Sequence, residues 1–439
     1  MSMSNMPKAQ VAAPSPSVPQ QFPKTIIEAG ENRLVNAGGS DAPWLEPHLA
    51  IDPKNPMHLI AGAIVATKPD LSETNCAVFT SFDEGLNWSR HDFRFKSCYD
   101  PWVIITEKGT AIFTAIDIGK VGNGLVIIRS VDGGRTWSDN FLSIGKGHDH
   151  QTMASDSSDG SIYLVSSINE RNEAKQLRAK VRVARSGDDG VTFQEQSRVL
   201  PSNLNLQAAN PAVFSDGAVA LVYSDHHRMN ARQRLIRPRD WLIVSKDKGK
   251  TFSEPLLITE IGGGKGWSSL AVSEPKSPSP DRLFWLTSGD TKDKVVGTYL
   301  QFSDDRGESW SDPVRVDQEN TSNADAQIPS IAVSKDGMVG VTWFDMRNDP
   351  NRKCYDLFFA ASLDGGKTFR PEVRVTDKST CPDTPQNKGA FERFSYGGDY
   401  QGLIATPNGT FHALWSDSRD QVFRLRTAKI KVTGQEVQK

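Results

Sequence analysis

The chain has 439 residues, 37% of them hydrophobic, and 51 Lys and Arg against 53 Asp and Glu give a net charge of −2. That balance excludes the strongly basic face of a general nucleic-acid binder. No apolar run nears the ~20 residues a membrane-spanning helix needs.

Residues 1–23 carry Pro7, Pro14, Pro16, Pro19 and Pro23 among Ser, Gln and Ala. This composition reads as a disordered tail without the apolar core of a signal peptide. Residues 24–434 read as one domain, and 435–439 as a second short tail. A strand is expected near Thr25–Val35. Beyond it one pattern recurs, Ser-x-Asp-x-Gly-x-x-Trp/Phe. It begins at Ser81, Ser130, Ser186, Ser245, Ser303 and Ser362, at intervals of 49, 56, 59, 58 and 59 residues. A fixed period of this size marks an array of like supersecondary units.

Each copy follows an apolar run such as Leu125–Ile128 or Trp241–Val244 and precedes another extended stretch, so it is a hairpin turn. The Asp accepts hydrogen bonds from turn amides. The Gly permits a backbone angle other residues resist. The aromatic buries itself between sheets. The six aspartates are therefore expected to be structural.

These motifs resemble Asp boxes, the bacterial neuraminidase repeat. The chain is similar to the sialidase-type β-propeller superfamily over about residues 40–432. The resemblance implies an all-β propeller. Each unit also has a first half, a strand, an Asp-Gly-like turn and a second strand, plain at Pro211–Asp225 and Pro329–Asp345. A seventh first half, Asp399–Asp417, has no box, and a strand-like Val422–Val432 follows. The count predicts a seven-bladed β-propeller, with six blades the lesser alternative. The strand near Thr25–Val35 completes blade 7 and closes the ring, which removes exposed sheet edges.

The four cysteines fall at matching places in their repeats. Cys76 and Cys98 are 22 residues apart, Cys354 and Cys381 27 apart. Repeat symmetry predicts Cys76–Cys98 and Cys354–Cys381 disulfides, hence a secreted or periplasmic protein whose signal has been removed. Four unpaired thiols are the alternative.

All boxes lie on one rim. The starts of the first strands and the turns after the second strands lie on the other, where a shared mouth is the usual binding place. The strand starts offer Glu46, His48, Tyr99, Asp100, His148, His150, Asn210, Trp267, Tyr396, Asp399 and Tyr400. The turns offer Arg228, Arg347 and Arg419, each beside an Asp. Such pairs either stiffen turns or bind a carboxylate through the guanidinium fork. On the second reading, with Arg232, Arg234, Arg237 and Arg239 adding to one blade 4 loop, the partner is an acidic oligo- or polysaccharide. His148 and His150 alternate along an extended chain and so face one side. They read as a proton-transfer pair, as metal ligands or as polar lining. No cofactor is expected, and a divalent metal is a minor alternative. Glu170–Lys180 reads as a short exposed helix, and Gly262–Gly266 as a flexible connection.

The resemblance implies the sialidase set of three arginines, a Tyr nucleophile activated by Glu and an Asp acid/base. Nothing before Ser81 matches the family's Phe/Tyr-Arg-Ile/Leu-Pro motif, and the blade count departs from six. The expectation is therefore a monomeric carbohydrate-active propeller on an acidic glycan, glycosidase-like. Asp100, His148, His150, Asp399 and Tyr400 are the catalytic candidates. Tyr99, Arg228, Trp267, Arg347 and Arg419 are the substrate-binding ones. A lyase on a uronate-containing glycan and a non-catalytic binding propeller are the alternatives.

Overall fold

The computed structural model describes residues 26–36, 42–68, 70–95, 97–118, 124–171, 177–202, 207–208, 210–224, 239–263, 266–291, 295–318, 326–407 and 409–434. Seven antiparallel sheets follow one another around a ring. Blade 1 comprises Trp44–Ile51, Leu59–Ala66, Thr74–Ser81 and Ser89–Asp92. Blade 2 begins with Cys98–Ile105, blade 3 with His148–Ser155 and blade 6 with Gln327–Val333. In blades 4 and 5 the first strand is split, into Gln207–Ala208 and Ala212–Val213, and into Gly262–Gly263 and Ser269–Val272. Blade 7 runs Gly402–Ala405, Thr410–Asp417 and Arg424–Thr433. Its outer edge is closed by Ile26–Ala29 and Arg33–Leu34, both paired with Arg424–Thr433. The seventh blade and its closure by the first strand are as expected. Closure gives blade 7 its outer strand.

The six boxes are identical in hydrogen bonding. Each Ser hydroxyl donates to its Asp carboxylate at 2.7–2.9 Å. The same Ser oxygen accepts from the Gly amide. The Asp accepts from the amide four residues after the Ser-paired position, as Thr136 does for Asp132 at 2.9 Å. The residue before each box Gly takes a positive φ, 61° to 71°. From that bend it reaches the preceding blade. Asp189 accepts from Thr106 and Thr110 of blade 2, Lys248 donates to Asp159 of blade 3, and Arg306 pairs with Asp216 of blade 4. Where this residue is glycine its carbonyl does the reaching, Gly133 to His58 and Gly365 to Arg282. The variable letter of the motif is thus an inter-blade clamp.

Between blades the sheets bury aliphatic and aromatic faces. Trp44, Trp285, Trp343 and Trp415 are fully enclosed. Both expected disulfides are present, Cys76–Cys98 and Cys354–Cys381. Each ties the same rim, opposite the boxes. Two expectations change. The described part of the blade 3 insert is strand and not helix: Ile162–Arg171 and Leu177–Ser186 pair antiparallel out to Arg171 and Leu177, and 172–176 lie outside the described residues. Gly262–Gly263 belongs to the blade 5 sheet, opposite Gly289 and Asp290.

Candidate functional site

The innermost strands of blades 1, 2, 3 and 6 carry the same irregularity near their start. The ladder slips between Leu45 and His48, Tyr99 and Trp102, Asp149 and Thr152, and Gln327 and Ser330. At each slip one residue sits at positive φ: Glu46 at 51°, Asp100 at 50°, His150 at 44° and Ile328 at 50°. For non-glycine residues, and above all for branched Ile328, this is strained backbone, and such strain gathers at functional sites. The bulge re-aims one side chain per blade. Glu46, Asp100, His150, Trp267, Ile328 and Tyr400 occupy equivalent positions in their blades, at the mouth of the ring.

Asp100 is the centre of the arrangement. Its carboxylate accepts from the His150 amide at 3.0 Å, and its amide donates to Glu46 Oε2 at 3.3 Å. Its carbonyl accepts from the Gln151 side chain. Burial, followed by the charge of Asp149, pushes the Asp100 carboxyl up to about 6. Burial and the neighbouring Asp100 and Asp399 push Glu46 well above the carboxylate range. These are the desolvation and like-charge causes that separate acids from bases in active sites.

A cavity of about 150 Å³ adjoins this cluster. Trp102, Trp267, Tyr400, His48 and His150 form its walls, with Asn210, Ser330 and Gln401 among its polar groups. His150 lies flat on Trp267 at 3.7 Å between centroids, and His48 on Trp102 at 3.6 Å. Tyr400 stands 5.8 Å from His150 and 6.0 Å from Trp102. Its hydroxyl donates to the Pro101 carbonyl at 3.2 Å, so it links blade 7 to blade 2 across the mouth. Burial and then His150 hold His48 down to about 3, which keeps that ring neutral. Burial and the charges of Glu46, Asp100 and Asp399 push the Tyr400 hydroxyl well above 10.

Asp100, His150, Trp267, Asp399 and Tyr400 are thus brought together, with the Asp399 carbonyl accepting the Trp267 amide at 3.0 Å. The other candidates are elsewhere. His148 does not share a side with His150, because the bulge at His150 breaks the alternation. It bonds Ser166 Oγ at 2.8 Å and Arg182 at 3.0 Å inside blade 3. Tyr99 donates to the Leu71 carbonyl and lines an outer groove with Lys388, Glu392 and Arg393. Tyr396 is packed against Phe344 and Tyr355. Arg347 is held by Asp345 at 2.7 Å and by Glu372, and stacks over Phe358. Arg419 is held by Asp417 at 2.8 Å and by Asp377. These Asp-x-Arg pairs brace strands and line no part of the cavity. Arg228, with His226 and His227, lies outside the described residues.

Glu46, His48 and Trp102 complete the site. The signal for Glu46 was present in the repeat itself, Glu46-Pro47 standing where Asp100-Pro101 stands. Among the described residues no group of three His, Cys, Asp or Glu is set to hold a metal ion. A larger hollow of about 620 Å³ beside the blade 2 box has no carboxyl or imidazole in its lining.

Seven blades, six boxes and a mouth on the opposite rim define an Asp-box β-propeller. Residues 53–214 match the family described as BNR repeat-like domain. No curated protein sequence matches the chain. Among solved structures it is similar to a Dyadobacter fermentans protein of unknown function, at 13% identity and a TM-score of 0.50, over 93% of this chain and 99% of that one. An ulvan lyase bound to -[GlcA(1-4)Rha3S]- is similar at 13% identity and 0.52, over 92% and 96%. A Trypanosoma rangeli sialidase in complex with sialic acid is similar at 14% and 0.50, over 78% of this chain and 59% of the sialidase. These likenesses are of fold.

Proposed function

We propose that the mouth of the ring is the active site of a carbohydrate-active enzyme that cleaves a glycan by proton transfer. The observation that carries this is the Asp100 carboxyl, held near 6 beside a cavity walled by two Trp and a Tyr. A carboxyl tuned into that range both gives and takes a proton near neutral pH. Flat aromatic walls suit the apolar face of a sugar ring. Asp100 is the acid of a glycosidase-like reaction, with Asp399 as second carboxyl and Trp267 and Trp102 as sugar platforms.

An acidic glycan has less support than the Asp-x-Arg pattern suggests, because Arg347 and Arg419 are each committed to two carboxylates. A lyase is the second reading, favoured by His150 and Tyr400 standing 5.8 Å apart between ring centroids beside the cavity, where they could serve as base and acid. Disulfides on the site rim fit an extracellular or periplasmic place of work.

A turnover screen over neutral, uronate-containing and sialylated glycans tests the proposal. New reducing ends without an unsaturated ring chromophore support the hydrolase. The same ends with that chromophore support the lyase. Silence on every polymer, with retention of one of them on a glycan array, replaces the enzyme by a binding propeller.

A further inference from the structure

The Glu46–Asp100 contact has a chemistry of its own. The first strands of blades 1 and 2 lie side by side, and their bulges fall at the same level. Both residues sit at positive φ immediately before a proline. This turns two carboxyls from neighbouring blades toward each other, with the Asp100 amide donating to Glu46 Oε2 at 3.3 Å and the two side chains within hydrogen-bonding reach. Only 2% of Glu46 is exposed. Two ionised carboxylates cannot share a hydrogen bond, since each is an acceptor only. A bond between the two requires one of them to keep a proton.

We propose that Glu46 and Asp100 work as one acid, two carboxyls sharing a single proton across the junction of blades 1 and 2, with Glu46 the positioning residue that holds the proton against Asp100. The surroundings assign the proton's resting place. Asp100 accepts from the His150 amide, a bond that favours its ionised form. Glu46 is the more deeply buried of the two and keeps the proton. The other groups facing the pair are Asp149 and His150 from blade 3 and Asp399 and Tyr400 from blade 7. The two carboxyls around the pair, Asp149 and Asp399, disfavour a second negative charge within it. A like pair that interacts strongly loses its protons in two steps that belong to the pair.

The role of the pair in bond cleavage rests on the glycan reading above; its shared proton does not. Isotope-edited infrared titration of the whole protein, with labelled Asp and Glu carboxyls, tests the pair without any substrate. The wild type should keep one protonated carboxyl band at neutral pH, and Glu46→Gln should remove it. Glu46→Gln still offers a donor to Asp100, so the Asp100 midpoint should move by less than about half a unit. Glu46→Ala removes that donor and should move the midpoint upward. A wild type with no protonated band at neutral pH overturns the proposal. So does a fall of about one unit or more in Glu46→Gln, which would show that Glu46 carries a charge beside Asp100. Should Glu46→Ala fail to fold, the wild-type band and the Glu46→Gln titration still decide. A failed glycan screen with these bands present would cost the activity and leave the pair.

Discussion

The two rims of this propeller use the same side chain in opposite ways. On the box rim six aspartates are exposed or half-buried, and each is surrounded by donors from its own turn. The Thr251 hydroxyl and amide hold Asp247 down at about 2. For Asp132 and Asp188 burial works in the other direction, but bonds from Thr136 and Thr192 and from the box serines outweigh it and hold both at about 2. On the mouth rim Asp100 and Glu46 are desolvated and face other carboxyls, and both are pushed up. A carboxylate saturated with local donors is a structural part. A carboxyl kept from water among like charges is poised to move a proton.

The strongest way to break this contrast is Asp100→Asn. It keeps the size of the side chain and removes the proton chemistry. Turnover of any glycan found in the screen should fall by about 10²- to 10⁴-fold, the worth of general acid catalysis. Folding should persist by circular dichroism and a cooperative melt. Full activity in this variant would sink the assignment of the mouth as a catalytic centre.

Arg347→Met asks whether an arginine near this rim binds substrate or braces strands. Asp345 is fully buried and loses the Arg347 guanidinium in the variant. Breaking a buried pair costs about 3–5 kcal/mol. A loss of that size in denaturant unfolding, with kcat/KM unchanged per folded molecule, is expected. Unchanged stability with a raised KM would return Arg347 to the substrate and revive the acidic glycan.

The fold was legible because the box is local. Its Ser, Asp, Gly and aromatic all act within one turn, so six copies in register declare six hairpins, and the box-free Asp399–Asp417 unit declares the seventh. The disulfides were legible for the same reason, through matching places in the repeats. The site was legible in part. Asp100, His150, Trp267, Asp399 and Tyr400 were placed on the right rim because rim membership follows from topology. His148 turns away from the site because alternation presumes a regular strand, and the bulge at His150 breaks it. Arg347 and Arg419 were ambiguous in sequence because an Asp-x-Arg string is written alike whether the guanidinium faces a ligand or Glu372 and Asp377. Those partners lie 25 and 42 residues away along the chain.

Gly307→Ala probes the box rim as backbone. Gly307 sits at φ +89, and an added Cβ would run into Leu242 of the preceding blade. Strain and overpacking together should cost about 1–3 kcal/mol. The melting temperature should drop with no change in KM, since the mouth is at the opposite rim. A changed KM would show that the two rims are coupled.

The smallest effect separates the rims most directly, through pH. Asp100 has a folded-state value of about 6 against an ordinary 3.8, so the folded chain binds its proton more tightly than the unfolded chain. Its favourable contribution is complete below the ordinary value and is lost as pH rises through about 6. Asp132 has a folded value of about 2, so its contribution is complete above the ordinary value and is lost as pH falls through about 2. Unfolding free energy measured from pH 3 to 8, at about 0.1 M salt to limit screening differences, should therefore carry opposite slopes from the two rims. Asp100→Asn should flatten the decline between about pH 4 and 7. Asp132→Asn should flatten the decline at the acid end, by less, because exposed carboxylates are screened by water. If Asp100→Asn leaves the upper slope unchanged, the mouth carboxyl is ionised in the ordinary range, and the contrast between the rims is one of position alone.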